Sequence, residues 1–128
     1  MRRIALVSLF VVMSLGISFA QAKNADIKFE KTTHNVGEFP EKKPVTYATF
    51  KFTNVGNAPL VIHQVVASCG CTVPTYSKEP ILPGKTGEVK VTYDGTDKPL
   101  GFFKKSIIVR SNAKTPTTRL FIEGTMVK

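Results

Sequence analysis

Cys69 and Cys71 are the only cysteines in the 128-residue chain, and one glycine separates them in "VVASCGCTVP". Two sulfurs at this spacing admit three chemistries. Oxidised, they close a local disulfide. As thiolates they offer two soft ligands to Cu(I) or another soft metal, with His63 as the candidate third ligand. As a reactive pair they could exchange with other thiols. Residues two apart on an extended strand point to the same side, so the sulfurs can meet. Disulfides favour Cα separations of about 4.4–6.8 Å, and a fully extended pair sits near the upper limit. Closure is therefore expected under strain, which eases reduction, with Gly70 letting the backbone bend. So small a ring adds little stability through chain entropy. Two ligands make a thin metal site. No helix N-terminus follows the pair to lower a thiol pKa, which weighs against exchange. The alternatives stay open, with a structural pair ahead of metal binding and thiol exchange.

Other reactive side chains are sparse. His63 sits in the apolar run "LVIHQVVAS" and reads first as a strand-surface histidine; His34, in polar "KTTHN", reads as solvated. Asp94 and Asp97 in "DGTD" lack the further oxygen ligands of a calcium loop. Glu38, Glu41 and Glu79 have no partner carboxylate for acid–base work. The expectation is no catalytic residue, no enzyme and no cofactor, with copper or another soft metal at Cys69, Cys71 and His63 as the alternative.

The compartment decides how a cysteine pair is read. "MRRIALVSLFVVMSLGISFA" has the parts of a secretory signal: Arg2 and Arg3, an apolar run from Ile4 to Ile17, then Ser18, Ala20 and Ala22. Residues 1–22 are expected to be a signal cleaved after Ala20 or Ala22, and 23–128 one small domain, periplasmic or secreted. The apolar run falls short of the roughly 20 residues a spanning helix needs, so no transmembrane segment is expected after cleavage. Disulfides persist outside the cytoplasm. The formal charge of +9 becomes +7 without Arg2 and Arg3. The lysines are scattered among acidic residues and form no basic stripe with interleaved aromatics, which excludes nucleic acid.

The segments that position these residues read as β-strands. Short alternating runs are separated by turn residues, and no stretch has helical periodicity. In "DIKFEKTTHNVGEF", Ile27 and Phe29 share a phase, then Val36 and Phe39 flank Gly37, with Pro40 ending the run. In "PVTYATFKFTN", Ala48, Phe50 and Phe52 face one way and Tyr47, Thr49 and Lys51 the other. "NVGNAP" is a turn. "LVIHQVVAS" has no clean phase, which requires either two covered faces or a bulge. In "ILPGKTG", Pro83 and Gly84 suit the two central turn positions. "EVKVTYD" turns Val89, Val91 and Tyr93 inward. "FFKKSIIVRS" places Phe103, Ile107 and Val109 in one phase with Lys105, and "TRLFIEGTMV" places Leu120 and Ile122 in one. Seven or eight strands in one domain predict an all-β, immunoglobulin-like antiparallel β-sandwich. Phe102 is a candidate surface contact.

"VGEFP", "FKFTNVGNAPLVI", "ASCGCTVP", "EPILPGKTGEVKVTYD" and "FFKKSIIVRSN" occur in that order. Together they resemble the bacterial domain of unknown function family 1573, from about Asp26 to Met126. The resemblance implies an immunoglobulin-like fold similar to PapD, major sperm protein and abnormal-spindle type domains, and export from Gram-negative bacteria. The positions it carries over are Cys69, Gly70, Cys71, Pro83 and Gly84, none with a catalytic role. The expected function is contact with an unidentified protein or cell-envelope component, by a monomer, without catalysis. The alternative is a periplasmic soft-metal-binding or thiol-active module centred on the Cys-Gly-Cys segment.

Overall fold

Ala48, Phe50 and Phe52 are buried while Tyr47, Thr49 and Lys51 are exposed, so the strand β3 (Val45–Asn54) carries the alternation expected of it. The computed structural model describes residues 23–128; residues 1–22, on which the secretory-signal reading falls, lie outside the described residues. The described residues form seven further strands: β1 (Ile27–Phe29), β2 (Thr33–Pro40), β4 (Ile62–Ala67), β5 (Thr72–Tyr76), β6 (Thr86–Asp94), β7 (Gly101–Ser111) and β8 (Thr117–Val127). They form two four-stranded sheets, β1-β3-β6-β5 and β2-β8-β7-β4. The inner faces meet on Phe50, Phe52, Val89, Val91, Ile107, Val109, Leu120 and Ile122, all essentially buried. Each large apolar side chain so buried stabilises the fold by about 1.5–3 kcal/mol.

The architecture is the all-β sandwich that the alternation predicts, with one difference in direction. The pairs β1/β3, β3/β6, β5/β6, β4/β7 and β7/β8 are antiparallel, but β2 pairs with β8 in parallel. The reason is a strand that changes sheets. After β1 pairs with β3, three residues carry the chain across to the other sheet, where β2 lies beside the last strand. The same happens on the opposite flank: residues 68–71 carry the chain from β4, at the edge of one sheet, to β5, at the edge of the other.

The unclean phase of "LVIHQVVAS" resolves into a bulge. The β4/β7 register shifts between Ile62 and Gln64. Ile62 is buried, His63 and Gln64 are exposed, and Val65 and Ala67 turn inward after the shift. At "ILPG", Gly84 has φ +79°, which a glycine adopts without Cβ strain. The Lys85 N–H donates to the Leu82 carbonyl at 3.0 Å and closes the turn.

The two ends of the interior differ. Near the β4–β5 crossover the core is aromatic: Tyr93 and Phe103 stack at 3.8 Å, with Phe39 edge-on to both. At the far end, "NVGNAP" is more than a turn. The Asn54 side chain is fully buried, donates to the carbonyls of Ala58 and Ile81 at 2.8 Å each, and accepts from the N–H groups of Gly56 and Asp26. Every hydrogen-bonding position of its amide group is engaged with backbone.

Candidate functional site

The Cys-Gly-Cys segment is a turn, and the extended-strand expectation for it is corrected. The Thr72 N–H donates to the Cys69 carbonyl at 3.1 Å, an i to i+3 closure. The curvature brings the two Cα atoms to 5.3 Å, in the middle of the range that disulfides favour, and the sulfurs are paired. Cys69 Sγ also accepts the Cys71 N–H at 3.1 Å. Both cysteines are half-buried, with Cys71 packed against the core. Gly70 does not have the role expected of it. Its φ is not positive, and a Cβ there would meet nothing within 4 Å.

The turn is anchored on both sheets. The Asp94 N–H donates to the Cys71 carbonyl at 2.8 Å, and the Ser68 N–H donates to the Ser106 carbonyl at 3.0 Å. Asp94 leads a tight turn of its own. Hydrogen bonds from the Thr96 hydroxyl and Thr96 N–H hold its carboxyl below the usual carboxylate range. Burial, with a smaller contribution from the Asp94 charge, holds the Tyr93 phenol above its usual value. "DGTD" is thus a turn closed by its own threonine.

His63 stands apart from the sulfurs. It is exposed at the start of β4, and about 13 Å of strand separates it from Ala67, before the turn begins. Among the described residues, no group of three or more His, Cys, Asp or Glu side chains could hold a metal ion. His34 corrects a second expectation: it is half-buried, with its ring edge-on to Phe50 at 6.1 Å. The two histidines lie on opposite edge strands of one sheet, about 14 Å apart across three strand spacings and offset by several residues along the strands as well.

Sequence reasoning named Phe102 as a surface contact, and it is 66% exposed. It missed the outer face of the β2-β8-β7-β4 sheet. There Val66 pairs with Ile108 and Ile108 with Arg119, while Gln64 pairs with Arg110 and Arg110 with Thr117. Beside them Lys104 lies 4.8 Å from the Phe121 ring centroid and 3.9 Å from the Glu123 carboxylate. The signal was present: in "FFKKSIIVRS", Ile108 and Arg110 occupy the phase opposite the core residues Ile107 and Val109. On the other sheet Tyr47 and Val73 flank Thr92 in register, with Tyr47 71% exposed.

This arrangement is the sandwich of the PapD and major sperm protein type, and the comparisons agree. A protein of unknown function from Porphyromonas gingivalis W83 superposes with a TM-score of 0.68 at 19% identity, covering 81% of this chain and 48% of that one. The seventh PapD-like (ASH) domain of human CEP192 gives 0.62 at 8%, covering 82% and 87%. The periplasmic chaperone SfaE gives 0.57 at 12%, covering 80% and 60%. The chain spans about half the length of the P. gingivalis protein. A search among curated proteins finds no match. Residues 27–126 match the family described as Protein of unknown function (DUF1573), and the chain belongs to that family.

Proposed function

We propose that this is an exported, non-catalytic β-sandwich that works by contact with a protein or cell-envelope component. What supports the contact reading is apolar and cationic side chains standing in register on sheet faces, Val66 and Ile108 beside Arg110 and Arg119. Isolated exposed apolar residues are ordinary, whereas a clustered set marks an interaction surface. Export is supported by the leader-like residues 1–22 and by the paired cysteines, which an oxidising compartment preserves. The likeness to a periplasmic chaperone adds a fold-level analogy. On this reading the Cys69–Cys71 disulfide is structural and fixes the β4–β5 crossover.

The test is photo-crosslinking in the cell envelope from single reactive residues placed at Tyr47, Val66 and Phe102. The expected result is one discrete adduct from at least one position, in a protein whose cysteines resist alkylation until reduced. Turnover of a thiol substrate, or stoichiometric tight copper uptake, that disappears in Cys69→Ser/Cys71→Ser would overturn this reading.

A further inference from the structure

Four strands lie at sheet edges, β1, β2, β4 and β5, and three of them are blunted. An edge strand turns every second N–H outward, where another chain can pair with it. On β1, the outward Ile27 N–H is taken by the Asp26 carboxylate at 3.0 Å, and the strand has only three residues. On β2, the register breaks between Asn35 and Glu38, where the Asn35 side chain takes the Gly37 N–H at 2.7 Å, and Pro40 has no donor, so only the short stretch from Thr33 to Asn35 offers a regular edge. On β5, the Asp94 N–H to Cys71 carbonyl bond fixes which residues face β6, and so turns Thr72, Pro74 and Tyr76 outward. The Thr72 N–H is already held by the Cys69 carbonyl of the cysteine turn and Pro74 has none, which leaves only Tyr76, the last residue of the strand.

β4 is different. The Ser68 N–H donates to the Ser106 carbonyl, and that pair continues the β4/β7 register. Alternation then points Gln64 and Val66 at β7 and turns the N–H and C=O groups of Val65 and Ala67 outward. Among the described residues neither of those N–H groups has a partner. The strand contains no proline and no lysine, arginine or acidic residue.

The surroundings select the occupant. A strand laid beside β4 would place one side chain next to Gln64 and another, two positions along, next to Val66. The first comes within reach of Arg110 across Gln64; the second continues the Val66–Ile108 apolar row. Among the described residues, Arg110 and Arg119 have no carboxylate partner. A second copy of this chain would bring the same unpaired arginines together.

We infer that the open edge of β4 binds an extended segment of a partner protein, with an acidic side chain beside Gln64 and an apolar one beside Val66. Main-chain hydrogen bonds to Val65 and Ala67 hold the segment, and the alternating side chains set its register. This rests on the contact reading above and names its surface.

The probe is a capped peptide alternating aspartate with valine, and its counterpart with lysine in place of aspartate. Both are added to the exported protein while amide exchange is followed by NMR. The aspartate peptide is expected to slow exchange at Val65 and Ala67 by about tenfold or more; the lysine peptide leaves both unchanged. Arg110→Glu, at an exposed position, should reverse that preference with the fold intact. Ala67→Pro should abolish protection by either peptide; Arg110→Glu decides if Ala67→Pro does not fold. Equal protection by both peptides, protection elsewhere than β4, or slow exchange at Val65 that tracks a concentration-dependent dimer would each overturn the inference. Crosslinks confined to Tyr47 would leave the contact reading standing and remove this one.

Discussion

At one end of β3 and β6 the loops are gathered by Asn54, an amide side chain with no exposed surface and four backbone partners. At the other end the crossover is closed by Cys69 and Cys71, a covalent bond between two half-buried residues. The covalent closure looks the stronger, yet the energetics run the other way. A disulfide stabilises mainly by restricting the unfolded chain, and a three-residue ring restricts it little. A buried amide that satisfies four backbone groups cannot be removed without leaving those groups stranded in a dry interior. The covalent end is also the one that borders the open edge. Its turn occupies the outward N–H of Thr72 and leaves the neighbouring strand β4 open.

Asn54→Leu tests the ranking most severely. Leucine keeps the branched shape but is larger, and it takes away both the donors to Ala58 and Ile81 and the acceptor for Gly56 and Asp26. Stranded buried polar groups cost about 1–3 kcal/mol each, and partial rescue by water reduces the sum, so about 3 kcal/mol is expected. Chemical denaturation should show it as a fall in midpoint at unchanged slope. A loss under about 1 kcal/mol would mean that the loops hold themselves without the amide.

Gly56→Ala probes the same end through shape. Gly56 lies against the backbone of Asn24, Ala25 and Asp26, and a Cβ there would come within 2.7 Å of the Ala25 carbonyl carbon. Backbone cannot swing aside as a side-chain tip can, so about 2 kcal/mol of destabilisation is expected. Thermal unfolding of the purified variant measures it, and an unchanged melting temperature would refute the close approach.

Much of the fold was legible because a strand with one face in the core writes its burial directly into alternate positions. Ala48, Phe50 and Phe52, and Val89, Val91 and Tyr93, fell where periodicity put them. "LVIHQVVAS" was readable only as a choice, since a bulge and a two-sided strand leave the same broken pattern. Asn54 was not legible at all. An asparagine before Val-Gly-Asn has the composition of a turn, and only the approach of Asp26 and Ile81 from distant segments converts it into a buried hub. The cysteine pair misled in the opposite sense: the spacing was conspicuous, but the turn that shapes it depends on the crossover between two edges. The open edge of β4 was invisible because it follows from what caps the other three edges.

Cys69→Ser/Cys71→Ser carries a smaller expected effect. Chain-entropy reasoning for a three-residue loop allows about 1.5 kcal/mol at most, so the double variant should fold and melt only a few degrees lower. A loss as large as that of Asn54→Leu would invert the comparison between the ends. Amide exchange at Thr72 sharpens the reading, because the serine turn should loosen the Thr72 N–H to Cys69 carbonyl bond and partly unblunt β5.

Gly70→Ala should do least. Glycine between two cysteines invites the view that only glycine lets the ring close, but the local geometry gives no such reason. The φ at Gly70 is not positive, and an added Cβ would project into open space. Replacing glycine by alanine where the backbone already suits it removes freedom from the unfolded chain and stabilises by about 0.4–1 kcal/mol. The expectation is therefore a change near zero or slightly favourable, with the disulfide still formed on mass measurement under alkylation. Two Gly→Ala changes, at 56 and at 70, then differ in sign for a reason external to glycine itself: one faces packed backbone and the other faces solvent. A destabilisation at Gly70 matching that at Gly56 would show that the cysteine turn is packed as tightly as the Asn54 end, and would remove the distinction between an end closed by packing and one open to solvent.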